Sequence, residues 1–409
     1  MALPSLFTPL LAFIGLATPA YAILNLRLLS GLGKLGAKRP SPRVPDNPLV
    51  SVKPQVPDTP LVTILIAARN EAGRIQKCLD CLLAQDYPPE KLQIVVVDDR
   101  SDDATVEILR HYCARRPGRL VTLSISETSP DISPKKNALE KGMGLATGEI
   151  ILTTDADCVM SPSWVSALVA EFDGDIGLVL GMTSYYRLEG RSRLLWGVEA
   201  LEFLSYGIVA AALIGLRFPV HGNANNIAYR RKLYDQASGF SSHGHIVSGD
   251  DDFLIQSIHR LGLWKIAYSV RPESQVMTEP PLSLRHFWEQ RKRWASKCSL
   301  YEPKQVAFLG AIFTYYTLIL ACLGLGAAHA SFLWLGLAGW SAKTGMDYWV
   351  MHRGTGIFEK RELMAYFPIT CLLHIPLIIA AVLAGSFGQF TWKGQKTGRR
   401  LRSQPGSGR

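Results

Sequence analysis

GEIILTTDADCVMS, residues 148–161, is the stretch on which the fold turns. Residues 149–153 are apolar and β-branched over the length of a buried strand. Asp155 and Asp157 follow it, and residues i and i+2 of an extended chain point the same way. Two hard oxygen donors at a strand end, with room left for water and phosphate oxygens, suit Mg²⁺ or Mn²⁺ on a nucleotide diphosphate. A polar loop after a core strand has the same composition, so the flanking chain has to decide.

Upstream, strand-like and helix-like segments alternate. Residues 62–67, 92–97 and 120–126 read as strands, and 71–84, 105–115 and 136–145 as helices. Strands alternating with helices of about a dozen residues predict βαβ units and a mostly parallel sheet. Ligands of such sheets bind beyond the carboxyl ends of the strands. The polar clusters fall there: Arg69-Asn70-Glu71, Asp98-Asp99-Arg100-Ser101 and Asp155-Ala156-Asp157. Three clusters at one predicted edge favour a site over a loop.

Downstream, residues 194–216 are helical, and the apolar part from 203 to 216 is too short to span a bilayer. It reads as a core helix or one lying at an interface. Residues 222–226 (GNANN) are turn-rich and precede a short helix over 231–237. Asp250, Asp251 and Asp252 then begin a helix to about residue 261. Capping and the macrodipole explain part of that acidic start, and three carboxylates exceed what capping needs. Residues 283–297 (SLRHFWEQRKRWASK) form a basic helix, a pattern that by itself reads as membrane-surface. His243 and His245 lack a third clustered ligand and read as loop residues, while His221 stays undecided.

The chain of 409 residues is 48% apolar and carries a net charge of +10 with only 19% charged residues. Apolar and aromatic blocks separate the basic residues, which fits an anionic membrane face and not a nucleic acid. Residues 6–29 are long and apolar enough to span. Ala20-Tyr21-Ala22 is like a signal-peptidase site, but the basic residues come after the run, at Arg27, Lys34, Lys38, Arg39 and Arg43. That asymmetry predicts an uncleaved anchor with the following domain in the cytoplasm. Residues 306–342, broken at 324–330, and 363–390 are further spanning segments. Four spans would leave the basic tail outside, against the positive-inside tendency, so one C-terminal segment is interfacial or re-entrant, or the rule fails. The seven cysteines are scattered, and the Cys78-x-x-Cys81 pair reads as buried helix-face residues. The expected layout is an anchor over 1–30, a Pro-rich linker over 31–60, a catalytic domain over 61–300, a membrane region over 301–392 and a basic tail over 393–409.

The ordered set ARNEA (68–72), VVDDRSDD (96–103), KKNAL (135–139), DAD (155–157), SGDDDFL (248–254) and QRKRW (290–294) resembles membrane-anchored family 2 glycosyltransferases. The resemblance implies an α/β GT-A fold with N- and C-terminal transmembrane helices in a multi-pass protein of the cell membrane. It implies an inverting, metal-dependent hexosyltransferase using a nucleotide sugar, by resemblance a UDP-hexose, with Mg²⁺ or Mn²⁺. It places Arg69, Glu71 and Asp99 near the nucleoside and Lys135 or Lys136 near the diphosphate. Asp155 and Asp157 hold the metal, and Asp251 is the general base. Gln290, Arg293 and Trp294 form the Q-x-x-R-W signature, with Arg293 at the diphosphate and Trp294 at the acceptor. Many relatives have Glu where this chain has Asp250. The expected acceptor is a lipid or lipid-linked hydroxyl. The alternatives are a processive polysaccharide synthase, which could need a partner subunit, and a non-catalytic nucleotide-sugar-binding membrane protein.

Overall fold

Runs of Val, Ile and Leu build the parallel half of the central sheet: β1 (Val62–Ala68), β2 (Leu92–Asp99), β3 (Leu120–Ile125) and β4 (Ile150–Thr153). In the computed structural model, which describes residues 3–37, 59–115, 118–127, 132–239, 243–246, 248–392 and 395–397, β1, β2 and β4 are buried nearly throughout. Burial on both faces is why they read as continuous apolar runs instead of alternating ones. Most of the linker expected over 31–60 and of the tail expected over 393–409 lies outside the described residues.

The later strands are β5 (Val159–Met160), β6 (Ile176–Leu180), β7 (Thr183–Tyr185), β8 (Ile227–Arg230), β9 (Lys265–Tyr268), β10 (Val276–Thr278), β11 (Phe390–Trp392) and β12 (Gln395–Thr397). The main sheet runs β3-β2-β1-β4-β8-β6-β9, and only β8 is antiparallel to its neighbours. A small sheet, β5-β10-β7, stands beside it, and β11 pairs with β12.

Helices α1 (Leu3–Gly36), α2 (Ile75–Leu83), α3 (Thr105–Arg115), α4 (Pro134–Met143), α5 (Trp164–Val169) and α6 (Arg193–Gly215) precede α7 (Arg231–Gln236), α8 (Asp250–Leu261) and α9 (Leu284–Lys297). The period of two sends Val62, Ile64 and Ile66 of β1 toward α2, α3 and α5, and Leu65 toward α4 and α6. Leu28, Leu32 and Leu35 of α1 belong to that second cluster, so the end of the first helix is part of the sheet's core. α6 is a core helix: 78% of its most apolar stretch is buried. The helix expected from 71 begins at Ile75 because Asn70 takes a left-handed turn and the following amides bond across to the loop before α3. α4 starts at Pro134, whose missing N–H costs nothing at a first turn, and ends at Met143.

Beyond α9 lie α10 (Pro303–Leu325), α11 (Ala330–Ile357) and α12 (Phe367–Phe387). The break expected over 324–330 is the α10–α11 turn. α11 continues past the apolar run that ends at 342 because its ionic groups find partners inside the bundle. Lys343 Nζ lies 2.8 Å from Asp347 and 2.9 Å from His374 Nδ1, and Tyr21 of α1 donates to Asp347 at 2.7 Å. Among the described residues, four helical segments are long and apolar enough to cross a membrane, which suggests membrane association: α1, the buried α6, α10 and the segment ending in α12, but not α11.

Candidate active site

The carboxyl ends of β1, β2 and β4 open into a cavity of about 250 Å³, closed on the far side by α9 and the start of α8. It is lined by Arg69, Glu71, Asp99, Lys135, Asp155, Asp157, Asp251, Gln290, Arg293 and Trp294. Of the eleven residues to which the resemblance gives a role in the site, Lys136 is the one outside that lining.

At the nucleoside end, Asp99 is buried and held at 2.9 Å by Arg100 Nε and at 3.9 Å by Arg69 Nη1. The two loops there are laced together. The Asn70 amide donates to Ser101 Oγ at 2.9 Å, and the Asp102 amide to Asn70 Oδ1 at 3.0 Å. Asn70 and Arg100 both have positive φ, a conformation Asn tolerates and tertiary bonds stabilise here. Arg74 pairs with Glu279, which also lines the cavity, and lies 3.5 Å from Glu71.

In the middle, Lys135 Nζ bridges Asp155 at 2.9 Å and Asp250 at 3.1 Å. Burial opposes its charge, but the flanking carboxylates outweigh that and raise Lys135 above the usual lysine range. Lys136 points away. Its ammonium donates to the carbonyls of His243 at 2.6 Å and Ile246 at 3.0 Å, pinning the loop before α8. Burial lowers it to about 8. His243 stacks on Phe253 with 4.6 Å between ring centroids, as a loop residue. His221 is half-buried, and its desolvation lowers its pKa.

Gly249 leads into α8 at φ 84°, and a Cβ there would meet the Phe253 ring at 2.9 Å. The three aspartates that follow sort by partner. Asp250 takes Lys135. Asp252 accepts from the Gly222 amide at 3.1 Å, from Lys297 at 2.6 Å and from the Tyr301 hydroxyl. Asp251 accepts from the Ala224 amide at 3.0 Å and lies 3.5 Å from Lys297 Nζ. Burial, then the neighbouring Asp252, pushes Asp251 up to about 6. Burial acts most strongly on Asp250, but Lys135, Lys136 and Lys297 together outweigh it and hold that carboxyl below the usual range.

At the other end, α9 presents Gln290, Arg293 and Trp294 to the cavity. Arg293 donates to Ser248 Oγ at 3.2 Å. Gln290 Oε1 accepts from Arg291 at 2.6 Å and Tyr185 at 3.2 Å. Tyr185, Phe203 and Trp294 form an aromatic wall, with centroid separations of 4.2 and 5.9 Å. The sequence reading missed what holds this end. Arg291, 1% exposed, pairs with Glu202 of α6 and lies 4.3 Å over the Trp294 ring. Its signal was Glu202 itself, an acidic residue in an apolar helix.

The donor set fits a divalent cation that brings ligands of its own. Asp155 is 37% exposed at the cavity, Asp157 lines the same wall, and no cluster of three or more His, Cys, Asp or Glu occurs among the described residues. Two carboxylates leave coordination positions for phosphate and water, the usual arrangement for Mg²⁺.

The family description "Glycosyl transferase family 2" matches residues 63–197, and "Glycosyl transferase family group 2" matches 150–383, more than half of the chain. The poly-beta-1,6-N-acetyl-D-glucosamine synthase of Staphylococcus epidermidis is 25% identical over 256 residues, 61% of this chain; the chain spans 58% of that relative's length. The probable glycosyltransferase YdaM of Bacillus subtilis is 25% identical over 57% of this chain and 54% of its own. A mannosyltransferase of Pyrobaculum calidifontis, solved with GDP-Man and Mn²⁺, superposes with a TM-score of 0.52 at 19% identity, over 92% of this chain and 97% of that one. That likeness gives the GT-A fold. With the family description covering the site and the helices behind it, this chain belongs to glycosyltransferase family 2.

Proposed function

We propose that the protein transfers one sugar, with inversion, from a nucleotide diphosphate sugar to the hydroxyl of a lipid or lipid-linked acceptor at the cytoplasmic membrane face. The supporting observation is that one cavity of about 250 Å³ is lined by Asp155, Asp157, Lys135 and Arg293 together with Asp251. The acceptor oxygen bonds to the anomeric carbon as the bond to the leaving diphosphate breaks, and Asp251 Oδ takes the hydroxyl proton. Arg293 and Lys135 stand where the leaving group gains charge. A divalent cation, when bound at Asp155 and Asp157, supplies further charge stabilisation to the diphosphate. Asp99 and Arg69 hold the nucleoside, and the Tyr185–Phe203–Trp294 wall orients the acceptor against Asp251.

The names of the relatives favour a second reading, a polysaccharide synthase, and make UDP-N-acetylglucosamine the first donor to test. The experiment is transfer by detergent-purified protein with Mn²⁺ or Mg²⁺, a panel of nucleotide sugars and a total lipid extract. One labelled lipid species supports single transfer. A ladder, or label retained as polymer, replaces it with the synthase reading. No release of nucleoside diphosphate from any donor refutes both.

A further inference from the structure

α12 has the composition of a bilayer-crossing helix. Its 21 residues would reach roughly 31 Å at about 1.5 Å per residue, the thickness of a hydrocarbon core, and the segment containing it is the most apolar of the four candidate spans among the described residues. Its two ends contradict a crossing. Ahead of it, α11 returns to the catalytic domain: the Phe358 carbonyl accepts from Gln275 Nε2 at 3.0 Å, and the Phe358 ring stands edge-on to Tyr268 of β9. Tyr366, the residue before α12, stands edge-on to Trp196 of α6. Behind it, Gly385 crosses α9 so closely that a Cβ would lie 2.5 Å from the Lys292 carbonyl oxygen. Lys292 Nζ then donates to the Gln389 carbonyl at 3.0 Å. α9 is the helix that carries Gln290, Arg293 and Trp294 to the cavity.

A helix that crossed would finish about 30 Å from the domain it left. Between its ends, Ile375 packs among Tyr315, Tyr316 and Ile319 of α10, and His374 meets Lys343 of α11. Pro376 follows at once, and having no N–H it removes one rung of the helical ladder while α12 continues unbroken to Phe387. Leu372 and Phe387, 61% and 75% exposed, face away from the protein.

We propose that α12 does not cross the bilayer: both of its ends stay on the catalytic side, and its outer face is covered by the lipids of that leaflet. The proposal rests on the membrane reading of the chain and is independent of the sugar chemistry. Among the described helices, α1 and α10 then cross together with α11, whose 28 residues carry Lys343 and Asp347 as an internal pair, while α6, apolar enough to cross, is buried as core. With three crossings, Lys393, Lys396, Arg399, Arg400, Arg402 and Arg409 share a side with Lys34, Lys38, Arg39 and Arg43, as the positive-inside tendency requires.

The test is labelling of the full-length protein by a membrane-impermeant maleimide, in right-side-out and inverted vesicles, with the wild type and its native cysteines as baseline. Three reporters are compared: Glu90→Cys in the catalytic domain, Ala328→Cys in the α10–α11 turn and Ser407→Cys after α12. The expected result is that Ser407→Cys gains label in the preparation that labels Glu90→Cys and loses it in the one that labels Ala328→Cys. Ser407→Cys labelling together with Ala328→Cys overturns the proposal, whether or not any donor is turned over.

Discussion

The cavity has two acidic clusters, and they are built oppositely. Asp155 and Asp157 stand at a strand end, open to the cavity, and Asp155 shares Lys135 with Asp250. Asp250, Asp251 and Asp252 stand at a helix start, and side chains and amides from four other segments fix their oxygens. An open pair can change partners when a charged ligand arrives. A closed set cannot, and so keeps one carboxyl at a chosen angle and an unusual pKa. Carboxylates nearly a hundred residues apart divide the work by how firmly each is already held.

The sharpest way to break this comparison is Asp251→Asn. Transfer should fall by about 10²–10⁴-fold, the usual worth of a general base, while donor affinity measured by calorimetry stays put. Near-normal turnover would refute the base assignment. Asp155→Ala or Asp157→Ala should do the reverse, weakening Mn²⁺-dependent donor binding on the order of 10²-fold, as loss of several kcal/mol of charge stabilisation implies. Unchanged nucleotide affinity with Mn²⁺ would remove the ion site.

A finer test is pH. Asp251 must be ionised to accept a proton, and its pKa is raised to about 6. The rate should therefore hold above pH 6 and drop about tenfold per unit on the acid side. Because the charge on Asp250 helps to raise Asp251, Asp250→Asn should move that limb to lower pH; a limb that stays in place would show the aspartates to be uncoupled. The smallest effect is expected at Lys136→Met. Two carbonyls lose their donor, at a cost of about 1–3 kcal/mol in stability, while donor affinity is kept. Lost affinity with intact stability would return Lys136 to the site.

The donor half was legible in the sequence because β1, β2 and β4 are buried on both faces and end in polar triplets. Their apolar runs and their chemistry are both local signals. The other half was less so. β6, β8 and β9 have five residues or fewer, too short to carry a period. Nothing local separates Asp250 from Asp252, since their roles come from Lys135, Lys297 and Tyr301, far away in the chain. The Arg291–Glu202 and Arg74–Glu279 pairs are likewise long-range. Lys136 was indistinguishable from Lys135 until α4 was placed, since one step along a helix turns a side chain by about 100°.

Leu28, Leu32 and Leu35 have a practical consequence for anyone handling this enzyme. They complete the same apolar cluster as Leu65 and Val95, so α1 is a layer of the domain and no mere tether. A soluble truncation starting at Thr59 would expose that face to water and invite aggregation. Membrane extraction of the intact chain is the safer route, and its catalytic and anchoring parts should melt in a single cooperative transition.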